Sequence, residues 1–384
     1  VPRFDHDPTT RESKGLLVEE SRINILPYST DVVGQSGWAR AGVLTENTTA
    51  TKAPDGSYDA VALRDDGSNG QHTLYDDVAV GNITSVYTSS CWAKAGSQSF
   101  AEIFCNGTGS SGTVTIAYNF NLSTGAATYT GTGGFESGTS TTVTEYPNGW
   151  WRCSVTCDVA DSASGSGTFR WHVRPRTNSN GNYQGNDSIG IYVWGLQLEL
   201  GTFPTSYIPG SSTGGTATRG TDVVRVEGQE LSDFYDTSEW TLLTITDATP
   251  ASLVASPSSV NDIGFIGTNG NNYYKIRYVT DSTLDDAYID GYGTSNSSVQ
   301  FDFGGSHNEV DTSAIRNVKT ALSAKVNDTA LTYNGNTVEV DTGCALPLNV
   351  GTFYIGESPK QVYIKRIMYY PKRLPNSQLV TLTS

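Results

Sequence analysis

Apolar and polar positions alternate with period two along much of this chain, the pattern of strands buried on one face. In residues 113–122, Val114, Ile116, Tyr118, Phe120 and Leu122 share one face; Thr113, Thr115, Asn119 and Asn121 share the other. Residues 168–174 repeat the pattern, with Phe169, Trp171 and Val173 predicted inward and Arg170, His172 and Arg174 outward. Residues 188–200 are apolar on both faces: Ile189, Ile191 and Val193 oppose Tyr192, Trp194, Leu196 and Leu198. That predicts a strand covered on both sides. No long window carries a stripe of helical period.

Turn chemistry cuts these strands short, at Ala53-Pro-Asp-Gly-Ser57, at Asp65-Asp-Gly-Ser-Asn-Gly70 and at Tyr333-Asn-Gly-Asn336. Many short strands without helical crossovers predict an all-β chain of two tandem antiparallel β-sandwich (jelly-roll) domains. The length of 384 residues fits more than one domain at about 150 residues each. Residues 209–218 are small and polar and read as a linker, after which Asp222-Val-Val-Arg-Val226 begins a fresh strand. The predicted division is a lead-in over 1–29, a first sandwich over 30–212 and a second over 213–384. Within the lead-in, Gly15-Leu-Leu-Val-Glu-Glu20 echoes Gly195-Leu-Gln-Leu-Glu-Leu200, which suggests a pair of strands closing the first domain.

Composition narrows the partners. There are 41 Gly, 21 Tyr and a single Met, with only 16% of residues charged, so the surface is mostly Thr, Ser, Asn, Gly and Tyr. Twenty-four basic against 39 acidic residues leave a net charge of −15, which disfavours nucleic acid and anionic membranes as partners. No apolar run is long enough to span a bilayer. The start, Val1-Pro-Arg-Phe-Asp5, carries no signal-peptide pattern and no Met, and reads as part of a longer or processed chain. Five cysteines make an odd set without metal-type spacing. Cys153 and Cys157, four apart on a predicted strand, would lie ~13 Å apart, too far for a disulfide. Reduced, buried, structural thiols are the expectation.

Three segments carry a family resemblance. Arg3-Phe-Asp-His-Asp-Pro8 with Lys14-Gly-Leu-Leu-Val-Glu-Glu-Ser-Arg-Ile-Asn24 resembles an opening common in phage and prophage structural proteins. Trp194-Gly-Leu-Gln-Leu-Glu-Leu-Gly-Thr-Phe-Pro-Thr-Ser-Tyr-Ile-Pro209, followed by Thr218-Arg-Gly-Thr-Asp222, resembles the matching close and linker. The region between, with Gly149-Trp-Trp-Arg152, is similar to a carbohydrate-binding-module-like jelly roll. From Tyr235-Asp-Thr-Ser-Glu-Trp-Thr-Leu242 to Ile364-Lys-Arg-Ile-Met-Tyr-Tyr-Pro-Lys-Arg-Leu374 the chain resembles a concanavalin-A-like (laminin-G-like) sandwich. The resemblance implies a bacteriophage virion fibre or tail adhesin: exposed on the particle, extracellular, set among other virion proteins and binding host-surface glycans. It also implies a homo-oligomer, with a trimer the fibre-type expectation, although no heptad supports one. Alternatives are a virion polysaccharide depolymerase and a ligand-free capsid-surface or spacer module.

Catalytic motifs are missing. Glu309-Val-Asp311 and Glu339-Val-Asp341 begin the Glu-x-Asp-x-x-Glu pattern of glycoside hydrolases, but the third position holds Ala314 and Cys344. A retaining hydrolase needs its carboxylate pair, so the expectation is no enzyme. Asp281, Asp285, Asp286 and Asp290 cluster near a predicted hairpin, and Asp65-Asp66 sit in a Gly-rich turn. Calcium takes oxygen ligands from such loops, which makes Ca2+ the candidate cofactor, with a plainly solvated acidic turn as the alternative. The candidate ligand site joins Arg170, His172 and Arg174 on one strand face to Trp150 and Arg152 on a candidate neighbouring strand. Bidentate Arg bonds and ring stacking there suit an anionic or hydroxyl-rich glycan. The alternative is a polar strand face paired internally with Asp and Glu, or a subunit interface.

Overall fold

A computed structural model describes the chain except for residues 1, 30, 36, 81–85, 110–111, 132–138, 159–166, 178–180, 212, 249–259, 270–271, 281–286, 296, 304–308, 311–315 and 357–360. The chain is all-β and divides into two compact units, one made of residues 22–219 and the other of residues 1–21 with 220–384.

The 22–219 unit is a sandwich of two six-stranded antiparallel sheets. The first runs, in spatial order, Ala127–Tyr129, Gly112–Asn121, Phe100–Gly109, Gly167–Arg176, Thr73–Val80, Ala39–Ala41. The second runs Ser140–Tyr146, Trp150–Asp158, Val86–Ala95, Ile189–Leu200, Val61–Asp65, Val43–Asn47. Alternation explains the core between them. Ile103, Ile116, Phe120, Trp171 and Val173 come from the first sheet; Cys91, Cys153, Val155, Ile191 and Val193 come from the second. The side chains of Phe169 and Val114, expected to point inward, lie outside the described residues.

One strand departs from simple alternation. Leu196 and Leu198 join Ile191 and Val193 in the same core rather than opposing them. The cause is a register shift between Trp194 and Gln197, where Gly195 takes φ +61°. A bulge inserts one residue and so switches every later side chain to the other face. Only glycine fits, because a Cβ there would lie 2.7 Å from the Trp92 ring.

The other unit is also a sandwich, of two seven-stranded antiparallel sheets. Its core holds Trp240, Leu242, Tyr274, Ile276, Ile289 and Leu322. The helix Asn376–Thr383 lays Leu379 on Leu243, Ala321 and Ala330. The lead-in expected over 1–29 is split between the units. Ser13–Glu19 pairs with Gln361–Tyr370 in the second unit instead of closing the first, and Val18 is fully buried there. Residues 22–24 stay with the first unit and pair with Ala217–Arg219, whose first two residues belonged to the expected linker. Because of that pairing the chain leaves the first unit after residue 219, not at 212.

All five cysteines are free and buried. Burial pushes the thiols of Cys91 and Cys105 up to about 12, so neither is a thiolate at neutral pH. Among the described residues no helix is long and apolar enough to cross a membrane.

Candidate binding face

Gly167–Arg176 lies inside its sheet, between Phe100–Gly109 and Thr73–Val80. Sending Trp171 and Val173 into the core sends Arg170, His172 and Arg174 outward, and register brings their neighbours with them. Arg174 faces Glu102, His172 faces Phe104 on one side and Tyr75 on the other, and Arg170 faces Asn106 and Asp77. These residues form one polar-aromatic face.

Its rim is an exposed ion pair. Arg170 holds Asp77 with two bonds, Nη2 to Oδ2 at 2.7 Å and Nε to Oδ1. Arg170 thereby holds the Asp77 carboxyl below the usual carboxylate range. The same guanidinium lies 5.0 Å from the Tyr75 ring centre. Inward from the rim His172, Arg174 and Glu102 are buried, and Tyr75 and Phe104 are half-buried. The Tyr75 ring stacks on His172 with centroids 5.1 Å apart, and Phe104 meets His172 edge-on at 4.9 Å. Arg174 lies 3.7 Å from the Phe104 ring centre and bonds Glu102 at 3.1 Å.

His172 is held in one state. Burial first, then Arg174 and Arg170, push it down to about 3, so the ring is neutral near pH 7. Its Nδ1 lies 3.0 Å from Thr73 Oγ1 and 3.4 Å from Arg174 Nη2. A guanidinium has only donors, so Nδ1 accepts and Nε2 carries the proton. Among the described residues that buried Nε2–H finds no hydrogen-bond partner, and neither do Asn106 Oδ1 and Arg174 Nε.

The structure does not bring the whole expected site together. Arg152 and Trp150 lie on Trp150–Asp158, in the opposite sheet of the sandwich. Trp150 is fully buried, its Nε1 donating to Lys52 O at 2.8 Å. Arg152 sits 4.5 Å from the Trp92 ring centre and donates to Thr205 O at 2.5 Å. Sequence proximity to a strand says nothing about which sheet it joins, and this pair serves the packing of Trp92, Trp150 and Trp194. Glu102, Phe104, Tyr75, Asp77 and Asn106 were not singled out in the sequence. Alternation in residues 100–106 marks Glu102, Phe104 and Asn106 as outward, but only register sets them beside the arginines.

Of the proposed calcium ligands, Asp281, Asp285 and Asp286 lie outside the described residues. Asp290 is 1% exposed and ion-paired with Arg277, and among the described residues no cluster of three or more metal-ligating side chains forms. Asp65 and Asp66 part ways: Asp65 accepts the Tyr183 hydroxyl at 2.8 Å, and Asp66 caps Ser68 N at 2.9 Å. Of the two Glu-x-Asp strands, only part lies within the described residues. Glu309 pairs in register with Tyr288, and Asp311 and Ala314 lie outside the described residues. Asp341 accepts from Gly343 N at 2.7 Å, and Cys344 is buried against Thr329.

No protein-family model matches this sequence, and no curated protein matches it. Among solved structures, mouse laminin alpha1 chain domains LG4-5 align over 89% of this chain and 93% of that one, with 9% identity and a TM-score of 0.25. Trypanosoma rangeli sialidase aligns over 84% of this chain at 12% identity, with a TM-score of 0.27. The alignment spans 60% of the sialidase's length. A GH43 glycoside hydrolase engineered for endo-xylanase and exo-arabinofuranosidase activity aligns over 86% of this chain and 74% of that one, at 10% identity and a TM-score of 0.25. TM-scores this low carry no argument about family, ligand or activity.

Proposed function

We propose that this chain is a non-catalytic binding protein whose Arg170–His172–Arg174 face takes a hydroxyl-rich saccharide. In the setting that the terminal and linker motifs resemble, it is an adhesin on a phage particle, presenting the face to a host-surface glycan. The carrying observation is the Nε2–H of His172, a buried donor between two aromatic rings with no partner among the described residues. An unpaired buried donor is costly, about 1–3 kcal/mol, and a ligand oxygen removes that cost. Tyr75 and Phe104 supply apolar surface beside it, the combination of rings and few fixed polar groups that saccharide recognition uses. Binding is favoured over hydrolysis because the carboxylates of the face, Asp77 and Glu102, are each engaged by arginines rather than left to act as acid and base.

The test is a panel of bacterial surface polysaccharides and their oligomers, with binding measured by calorimetry and reducing or unsaturated ends measured in parallel. Retention without new ends is expected, with about tenfold weaker binding in Tyr75→Ala. New ends make the chain a depolymerase. Retention that Tyr75→Ala and His172→Phe both leave intact places the ligand elsewhere.

A further inference from the structure

Glu102 is shared by two buried guanidiniums. Arg174 Nη1 donates to its Oε2 at 3.1 Å, and Arg176 Nη2 donates to its Oε1. The side chains are 6% and 9% exposed against 1% for Glu102. Thr130 Oγ1 also donates to Oε1, at 3.1 Å, so both oxygens of the single carboxylate are occupied. No other described carboxylate comes within 4.0 Å of either guanidinium. Asp77 is held by Arg170. The neutral His172 adds no charge. Within this triad two buried guanidiniums meet one carboxylate, in a chain of net −15. Such an imbalance is unfavourable until an anion meets it. Among the described residues, Nε of Arg174 and Nε and Nη1 of Arg176 find no hydrogen-bond partner, with Nη1 packed beside Gly181; these are the donors an anion would meet.

We propose that Arg174 and Arg176 form an anion subsite that takes the carboxylate, sulfate or phosphate group of an acidic saccharide. Guanidinium forks match these planar or tetrahedral oxyanions with paired N–H bonds, which an ammonium does not. The inference rests on the binding-face reading and adds to it: His172 and the rings hold the sugar, and the arginine pair holds its charge.

Three probes separate the claims: trigalacturonate, its carboxyl-reduced neutral counterpart, and inorganic sulfate. The parent is expected to bind trigalacturonate at least about tenfold more tightly than the neutral trimer, a difference lost in Arg176→Gln. Glu102→Gln is expected to act the opposite way and tighten trigalacturonate binding, since it frees both guanidiniums. Sulfate is expected to raise the melting temperature of the parent but not that of Arg176→Gln. Equal binding of the two trimers overturns the anion subsite and leaves the saccharide face standing. A sulfate response with no saccharide bound supports the subsite and sinks the saccharide reading. No response to sulfate and no preference for the acid trimer overturns the inference, whichever variant folds.

Discussion

Gln361 donates from Nε2 to Glu19 Oε1 at 2.7 Å across 342 residues of chain. Both side chains are buried. Arg3 and the backbone N–H of Asp222 converge on Glu19, Arg3 donating to the Glu19 carboxylate and Asp222 N–H to the Glu19 carbonyl. The first 21 residues are thus built into the second sandwich, and residues 220–384 alone lack two of its strands.

Residues 220–384 expressed alone are therefore expected to be aggregation-prone or partly unfolded, with the apolar edge once covered by Val18 left open. Joining residues 1–21 to them by a short linker should restore a cooperative transition. Residues 22–219, contiguous and with their own core, should melt cooperatively without help. Circular dichroism melts of the three proteins check this; a cooperative, soluble 220–384 piece would show the lead-in strands to be dispensable.

Gly195→Ala is expected to cost ~2–4 kcal/mol, combining a left-handed backbone with a Cβ driven into the Trp92 ring. Denaturant unfolding of the 22–219 piece measures it. A loss under about 0.5 kcal/mol would mean that the bulge relaxes.

Two groups set opposing pH slopes in the same unit. Asp76 sits opposite Trp171 in register and is 7% exposed, and burial pushes it up to about 6. A carboxyl raised on folding contributes stability present below its unfolded value and lost as pH rises through 6. His172, pushed down to about 3, works the other way. Below its unfolded value near 6.5 the unfolded chain takes a proton that the native ring refuses, so stability falls on acidification. Between about pH 4 and 6 the two slopes oppose each other. Asp76→Asn should raise stability at pH 7.5 by ~1–3 kcal/mol and expose the acid-side loss. His172→Gln should expose the alkaline-side loss. Melting temperatures across pH 4–8 decide it, and parallel profiles for parent and variants would refute the assignment.

The five buried thiols should not react with a thiol reagent until the chain unfolds, and intact mass without reductant should show no disulfide. Rapid labelling of native protein at Cys91 or Cys153, which face each other across two strands, would contradict their burial.

The sequence by itself determined the faces of the strands that keep simple alternation. Trp171 and Val173 are inward and Arg170 and His172 outward because a strand's side chains alternate whatever it pairs with. It also determined the all-β class and the free cysteines, which rest on local pattern and spacing. Tertiary structure decided everything that depends on pairing. Trp150–Asp158 joined the sheet opposite the arginines, so Arg152 met Trp92 rather than His172. The Gly195 bulge moved two leucines across a strand that alternation alone placed on the other face. Glu102, indistinguishable in sequence from any outward glutamate, became the carboxylate that Arg174 and Arg176 share. The physical reason is range: alternation is fixed by each residue's own backbone, while register, sheet membership and charge balance are set by partners far along the chain.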